Sequence, residues 1–158
     1  MNDLRKHSLF AELTDDELFE FLPHLYLRAY NKDEVVYFRN DPSQAFYMIK
    51  TGVVELNLDI EDKFETIVNL EAGRFFGENS MMPETRRMYN AISRSSKTNL
   101  LILPQVNLLE IFADNASIKA KVHSALSKHY YKMLSGFIQN YRNSFAFFDL
   151  RIAIEKWN

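Results

Sequence analysis

The sequence predicts a mostly-β fold, an antiparallel sandwich or jelly roll with helices at both ends. Three observations carry this. Between Leu25 and Pro104 apolar residues alternate with polar ones in short runs. Those runs are separated by turn residues rather than by helical stretches. Beyond Pro104 the apolar period lengthens to that of a helix and persists to Phe148.

Bulk properties agree with a packed domain. The chain has 158 residues, a single-domain length, and its 47% hydrophobic and 14% aromatic content excludes a disordered tail. A net charge of −2 gives no argument for general nucleic-acid binding. The absence of cysteine removes disulfides, thiol catalysis and thiolate metal sites, and fits a reducing compartment. Met1 to Arg5 is polar and no apolar run approaches the ~20 residues needed to span a bilayer, so a soluble, cytoplasmic protein without a leader is expected.

In chain order, the stretch to Leu22 reads as helical. Thr14 and Glu17 match a capping box, Leu18, Phe21 and Leu22 give one apolar face, and Pro23 closes the helix. Strands are predicted over Leu25–Ala29, Glu34–Arg39, Phe46–Lys50, Val53–Asp59, Phe64–Leu70, Arg87–Arg94 and Thr98–Leu103. Turn signals stand between them at Asn31-Lys32-Asp33, Asn40-Asp41-Pro42, Thr51-Gly52, Glu61-Asp62-Lys63 and Ala72-Gly73. Pro104 then stops the last strand and opens a helix with Val106, Leu109 and Phe112 on one face; Asn115 or Ser117 caps the next. In that next helix apolar residues recur at Val122, Leu126, Tyr130, Met133, Phe137, Tyr141, Phe145 and Phe148. So long a stripe usually meets a second copy of itself, which predicts a homodimer; a helix folded back on its own barrel is the alternative. Between Asn115 and Phe148 there is no acid but there are Lys119, Lys121, Lys128, Lys132 and Arg142, leaving −7 on the rest of the chain. The basic helix is therefore expected to dock on an acidic barrel, to raise the local potential for an anionic ligand, or to present a solvated lysine face.

The chemistry concentrates in Gly73 to Ala91, GRFFGENSMMPETRRMYNA. Glycines allow close backbone approach, a helix start after Gly77 offers amides to an anion, and an arginine offers a planar fork of donors for phosphate oxygens. Glu78 suits hydroxyls rather than a bare phosphate. The combination describes a pocket for a small sugar phosphate.

Phe76-Gly77-Glu78, with Arg87 nine positions later, resembles the phosphate-binding cassette of cyclic-nucleotide-binding domains, a family that includes catabolite-activator-type regulators, kinase regulatory subunits and nucleotide-gated channels. The resemblance implies a jelly roll (a double-stranded β-helix) of about eight strands over residues 1–115, with residues 116–158 forming a long dimerisation or lid helix and tail. It implies that Glu78 holds the ribose 2′-hydroxyl and Arg87 the cyclic phosphate, with Gly77, Asn79, Ser80 and Met88 lining the ligand. Arg86 is a weaker candidate for the arginine role. Ile138 and Gln139 fall near where the helix faces the base. Where the family follows its arginine with two small residues, this chain has Met88 and Tyr89, large enough to crowd the phosphate. The stretch Phe145 to Arg151 is similar to the hinge that leads into a DNA-binding domain; with the sequence ending at Asn158, direct DNA reading is not expected.

Rival chemistries fare worse. His7, His24, His123 and His129 do not fall at paired strand spacing, and no G-x-S-x-G elbow occurs, so neither a metal centre nor a catalytic site is expected. The resemblance implies a non-catalytic cyclic-nucleotide sensor signalling through its C-terminal helix, cAMP rather than cGMP because family members that favour cGMP often carry Ser or Thr directly after the arginine, where this chain has Met88. The alternative is a degenerate barrel acting as a dimerisation module or truncated transcription regulator that binds no nucleotide. No cofactor and no membrane partner are expected.

Overall fold

The computed structural model describes residues 2–60 and 63–142. Eight strands form two four-stranded sheets: β1 (Tyr26–Asn31), β2 (Val35–Tyr37), β3 (Ala45–Thr51), β4 (Val53–Ile60), β5 (Lys63–Glu71), β6 (Phe75–Phe76), β7 (Asn90–Ser93) and β8 (Lys97–Pro104). The strand order is β1-β8-β3-β6 in one sheet and β2-β7-β4-β5 in the other, with every pairing antiparallel. This is the predicted jelly roll, with helices α1 (Asn2–Arg5) and α2 (Asp15–Phe19) before it and α3 (Gln105–Asp114) and α4 (Ala116–Arg142) after it.

Two clusters of buried side chains share the central strand β3. Its residues 45–49 are a near-continuous apolar run because both faces are covered. Tyr47 and Ile49 turn into the space between the sheets, where they meet Tyr30, Tyr37, Val54, Leu56, Leu70, Phe76, Leu100 and Ile102. Phe46 and Met48 turn the other way, onto Phe10, Leu18, Phe21, Leu103, Leu108, Phe112, Ile118 and Val122. The helices at the two ends of the chain therefore build one core together, on the outside of the β1-β8-β3-β6 sheet.

Several expectations shift in detail. The N-terminal helix is broken: α2 ends at Phe19, and Pro23 lies inside a separate 3-10 turn over Leu22–His24. The capping box is present as expected, with Glu17 N donating to Thr14 Oγ1 and Thr14 N to Glu17 Oε2. The seventh strand starts at Asn90, not Arg87, because Arg86 and Arg87 bond to the loop at Asn40–Pro42 rather than to a strand. The two-residue β6 is too short to leave a periodic signal. Of the turn signals, Glu61 and Asp62 lie outside the described residues, as do Phe145 and Phe148 of the helical stripe and the hinge-like segment beyond them.

The stripe on α4 divides in two. Val122 and Leu126 are buried in the helix-side core, whereas Met133 and Phe137 are exposed. The first half is thus the helix folded back on its own domain. Its lysines bind the N-terminal segment: Lys121 Nζ donates to both Glu17 oxygens at 2.8 Å, and Lys128 Nζ to Glu12 Oε1 at 2.7 Å. Glu17 also accepts from Ser117 Oγ at 3.1 Å. The basic helix docks on acids, and these acids belong to the N-terminal helical segment.

Hydrogen bonds from Lys121 and from the Thr14 backbone hold the Glu17 carboxyl down at about 2. A folded-state value below the unfolded one of roughly 4.3 adds stability that is complete above the unfolded value and is lost as pH falls toward the folded one. Lys121→Met is expected to lower the denaturant midpoint at neutral pH and to flatten the loss of stability between about pH 4.5 and 2, read by urea melts across that range.

Candidate functional site

Gly77 opens the cassette with φ of 74°, a left-handed conformation, and starts a 3-10 turn over Glu78–Met81. Glycine is required here twice over. A side chain at this φ costs about 1–2 kcal/mol, and a Cβ would stand 2.6 Å from a guanidinium nitrogen of Arg87 and 3.1 Å from the Tyr47 ring.

Arg87 is 3% exposed and points into the barrel. One terminal nitrogen donates to Ala45 O at 2.6 Å. The other donates to Gly77 O and to Asn79 Oδ1, each at 3.2 Å. The guanidinium carbon lies 4.2 Å from the centre of the Tyr37 ring and 5.4 Å from that of Tyr47, both within cation–π range. Arg86, the neighbouring candidate, is exposed and donates to Asn40 O at 2.8 Å, away from the barrel interior.

Asn79 staples the cassette to its surroundings, donating to Ser43 Oγ at 2.8 Å and to Arg86 O at 2.6 Å. Ser80 is fully buried, so only a small side chain fits there. Met88 is 71% exposed and turns outward. Tyr89 turns inward, and its hydroxyl donates to Glu78 Oε2 at 3.4 Å. Its ring lies 6.2 Å from that of Tyr37, which in turn faces Arg87. Glu78 and Arg87 are therefore linked through the rings of Tyr89 and Tyr37, which stand between them.

Two buried polar atoms of this region, Ser80 Oγ and Arg87 Nε, have no hydrogen-bond partner among the described residues, and the buried Tyr37 hydroxyl faces that of Tyr89. Burial pushes the Tyr37 phenol well above its ordinary value. Burial does the same to Tyr89, reinforced by the negative charge of Glu78. Tyr130 of α4 belongs to the same neighbourhood: its phenol is raised by burial and then by the charges of Glu78 and Tyr89. One residue earlier His129 packs on Phe75, ring centres 4.9 Å apart. The part of α4 beside the cassette is thus His129–Tyr130. Ile138 and Gln139 lie about two turns further along, both exposed.

The cassette also reaches the helices. Met81 is buried in the helix-side core, and the Gln105 side-chain amide, on the first residue of α3, donates to Ser80 O and Met82 O at 2.9 Å each.

Of the residues the sequence proposes for the site, Gly77, Glu78, Asn79, Ser80 and Arg87 stand together in and beside the cassette turn. Met88 stands at the rim with its side chain turned away. Tyr37, Tyr47 and Tyr130 were missed as site residues. Strand parity in β2 and β3 carried a signal for the first two, since both fall on inward positions; nothing local marks Tyr130. Among the described residues no cluster of His, Asp or Glu is placed to hold a metal ion, and no helix is long and apolar enough to cross a membrane.

Residues 27–115 match the family model of the cyclic nucleotide-binding domain. The chain is 34% identical over 115 residues to a protein of Rhodopseudomonas palustris described as a candidate potassium channel, an alignment covering 73% of this chain and 27% of that protein. It is 27% identical over 121 residues to a cGMP-dependent protein kinase of Caenorhabditis elegans, covering 75% of this chain and 16% of the kinase. The chain thus spans less than a third of the length of these relatives. Among solved structures, the catabolite activator protein of Thermus thermophilus superposes with a TM-score of 0.70 at 24% identity, covering 85% of this chain and 63% of that one.

Replacing Gly77 with alanine is expected to destabilise the domain by roughly 2 kcal/mol or more, from the left-handed backbone and the clash with Arg87 together. Chemical denaturation of the G77A chain measures it.

Proposed function

The chain belongs to the cyclic nucleotide-binding domain family, and on that premise we propose that it is a non-catalytic sensor of cyclic nucleotide, of the cAMP type, whose occupancy is passed to α4. One observation carries this reading. A carboxylate and a guanidinium stand on either side of the Tyr89–Tyr37 pair, and the buried guanidinium keeps its Nε without a partner among the described residues. Buried polar groups nearly always have partners, and a ribose phosphate carries the hydroxyls and oxygens to supply them. Glu78 accepts from a ribose hydroxyl in this reading, and Arg87 exchanges a carbonyl partner for a phosphate oxygen, a stronger charge-assisted bond. The preference for cAMP rests on Met88, which has no hydroxyl for guanine.

The route outward runs through Met81 and Gln105 to α3, and through Tyr130 and His129 directly to α4. A ligand shifts such an equilibrium only by its differential affinity for the two arrangements. His129, packed on Phe75 next to the cassette, gives α4 a contact that ligand would alter. Beyond it, Tyr131, Met133, Leu134, Phe137 and Ile138 present an exposed apolar stripe, on which a second copy of the helix packs in a homodimer. The proposed setting is cytoplasmic, with no membrane or direct DNA contact by this chain.

A second reading, an interaction module that binds no nucleotide, is favoured by the Tyr89–Glu78 contact, which takes the carboxylate from within. Titration calorimetry with cAMP and cGMP separates the two. The sensor binds, with cAMP tighter than cGMP, and Glu78→Gln weakens binding by about tenfold or more, as loss of a charged hydrogen bond requires. Absence of heat and of any thermal shift with both nucleotides leaves the interaction module.

A further inference from the structure

We propose that Tyr89 is an internal competitor for Glu78: its hydroxyl holds the carboxylate in the ligand-free chain, and nucleotide affinity is set by its departure. The inference rests on the sensor reading above. Its grounds are geometric. Arg87 and Tyr89, two residues apart, turn inward while Met88 between them turns out, in the bend that leads into β7. Asn90 fixes this register, its side chain donating to Asn57 Oδ1 at 3.0 Å and accepting from Arg39 N at 2.8 Å. Tyr89 is therefore held to the barrel side of the wall, where its ring stands beside Tyr37 and its hydroxyl reaches Glu78.

The contact has the chemistry of the ligand it opposes. A phenol hydroxyl donating to a carboxylate oxygen occupies the acceptor that a ribose hydroxyl uses. At 3.4 Å the bond is long for an O–H···O pair, whose usual range ends near 3.0 Å. It is weak enough for a ribose hydroxyl at ordinary distance to replace it. The ring, rather than the bond, is the larger obstacle, since it fills space between Glu78 and Tyr37. Removing the hydroxyl alone tests the competition, and removing the ring tests the obstruction. A protein whose competent state is only partly populated binds with an affinity reduced by that fraction, so both changes act in one direction.

The test titrates the full chain, Tyr89→Phe and Tyr89→Ala with cAMP and cGMP by calorimetry, with a thermal melt of each. Y89F is expected to bind a few-fold tighter than the unaltered chain and Y89A about tenfold tighter or more, both melting cooperatively. Binding by Y89A where the unaltered chain gives no heat makes Tyr89 a permanent block, which overturns both the competitor role and the sensor reading of the natural chain. If the unaltered chain binds and neither variant binds more tightly, the competitor role is overturned while the sensor reading stands. Should none of the three bind, both fall. If Y89A fails to fold cooperatively, Y89F decides alone.

Discussion

A buried arginine organises the cassette. Arg87 carries its charge inside the barrel, where an unpaired cation would be costly. Two backbone carbonyls, one side-chain amide oxygen and the faces of two tyrosines receive it. These partners come from different parts of the chain: Ala45 and Tyr47 from β3, Tyr37 from β2, Gly77 and Asn79 from the cassette. The arginine thereby fixes the cassette against the barrel wall. Gly77 follows from it, since any side chain there would occupy the space the guanidinium needs.

That same strand β3 joins the two halves of the molecule. Its inward residues line the interior between the sheets, and its outward residues belong to the core shared by the N- and C-terminal helices. Met81 and Gln105 add a second connection, from the cassette itself to α3. A close-packed interior transmits displacement rather than absorbing it. The cassette touches the helix-side core at two places, through β3 and through Met81 and Gln105.

The long helix has two jobs assigned to successive segments. Its first turns complete the domain, with Val122 and Leu126 buried and Lys121 and Lys128 bound to acids of the N-terminal segment. Its later turns carry exposed apolar residues, from Tyr131 to Ile138. Tyr130 stands at the division, within electrostatic reach of Glu78 and Tyr89.

The sequence by itself determined the jelly roll, the capping box at Thr14 and Glu17, and the cassette from Gly77 to Arg87. Strand alternation, cap chemistry and motif spacing are all properties of residues near one another in the chain, so they are legible without coordinates. Helix α4 was legible as a helix, but not where its stripe stops being buried, because part of the partner surface for Val122 and Leu126 is made by N-terminal residues such as Phe10 and Leu18, more than a hundred positions away. Only the tertiary structure decided which way Arg87 faces, that Tyr89 meets Glu78, and that Tyr130 rather than Ile138 or Gln139 lies beside the cassette. Those outcomes depend on how β2, β3, the cassette and α4 are brought together in space. Local pattern fixes which residues share a face, and packing alone fixes what that face meets.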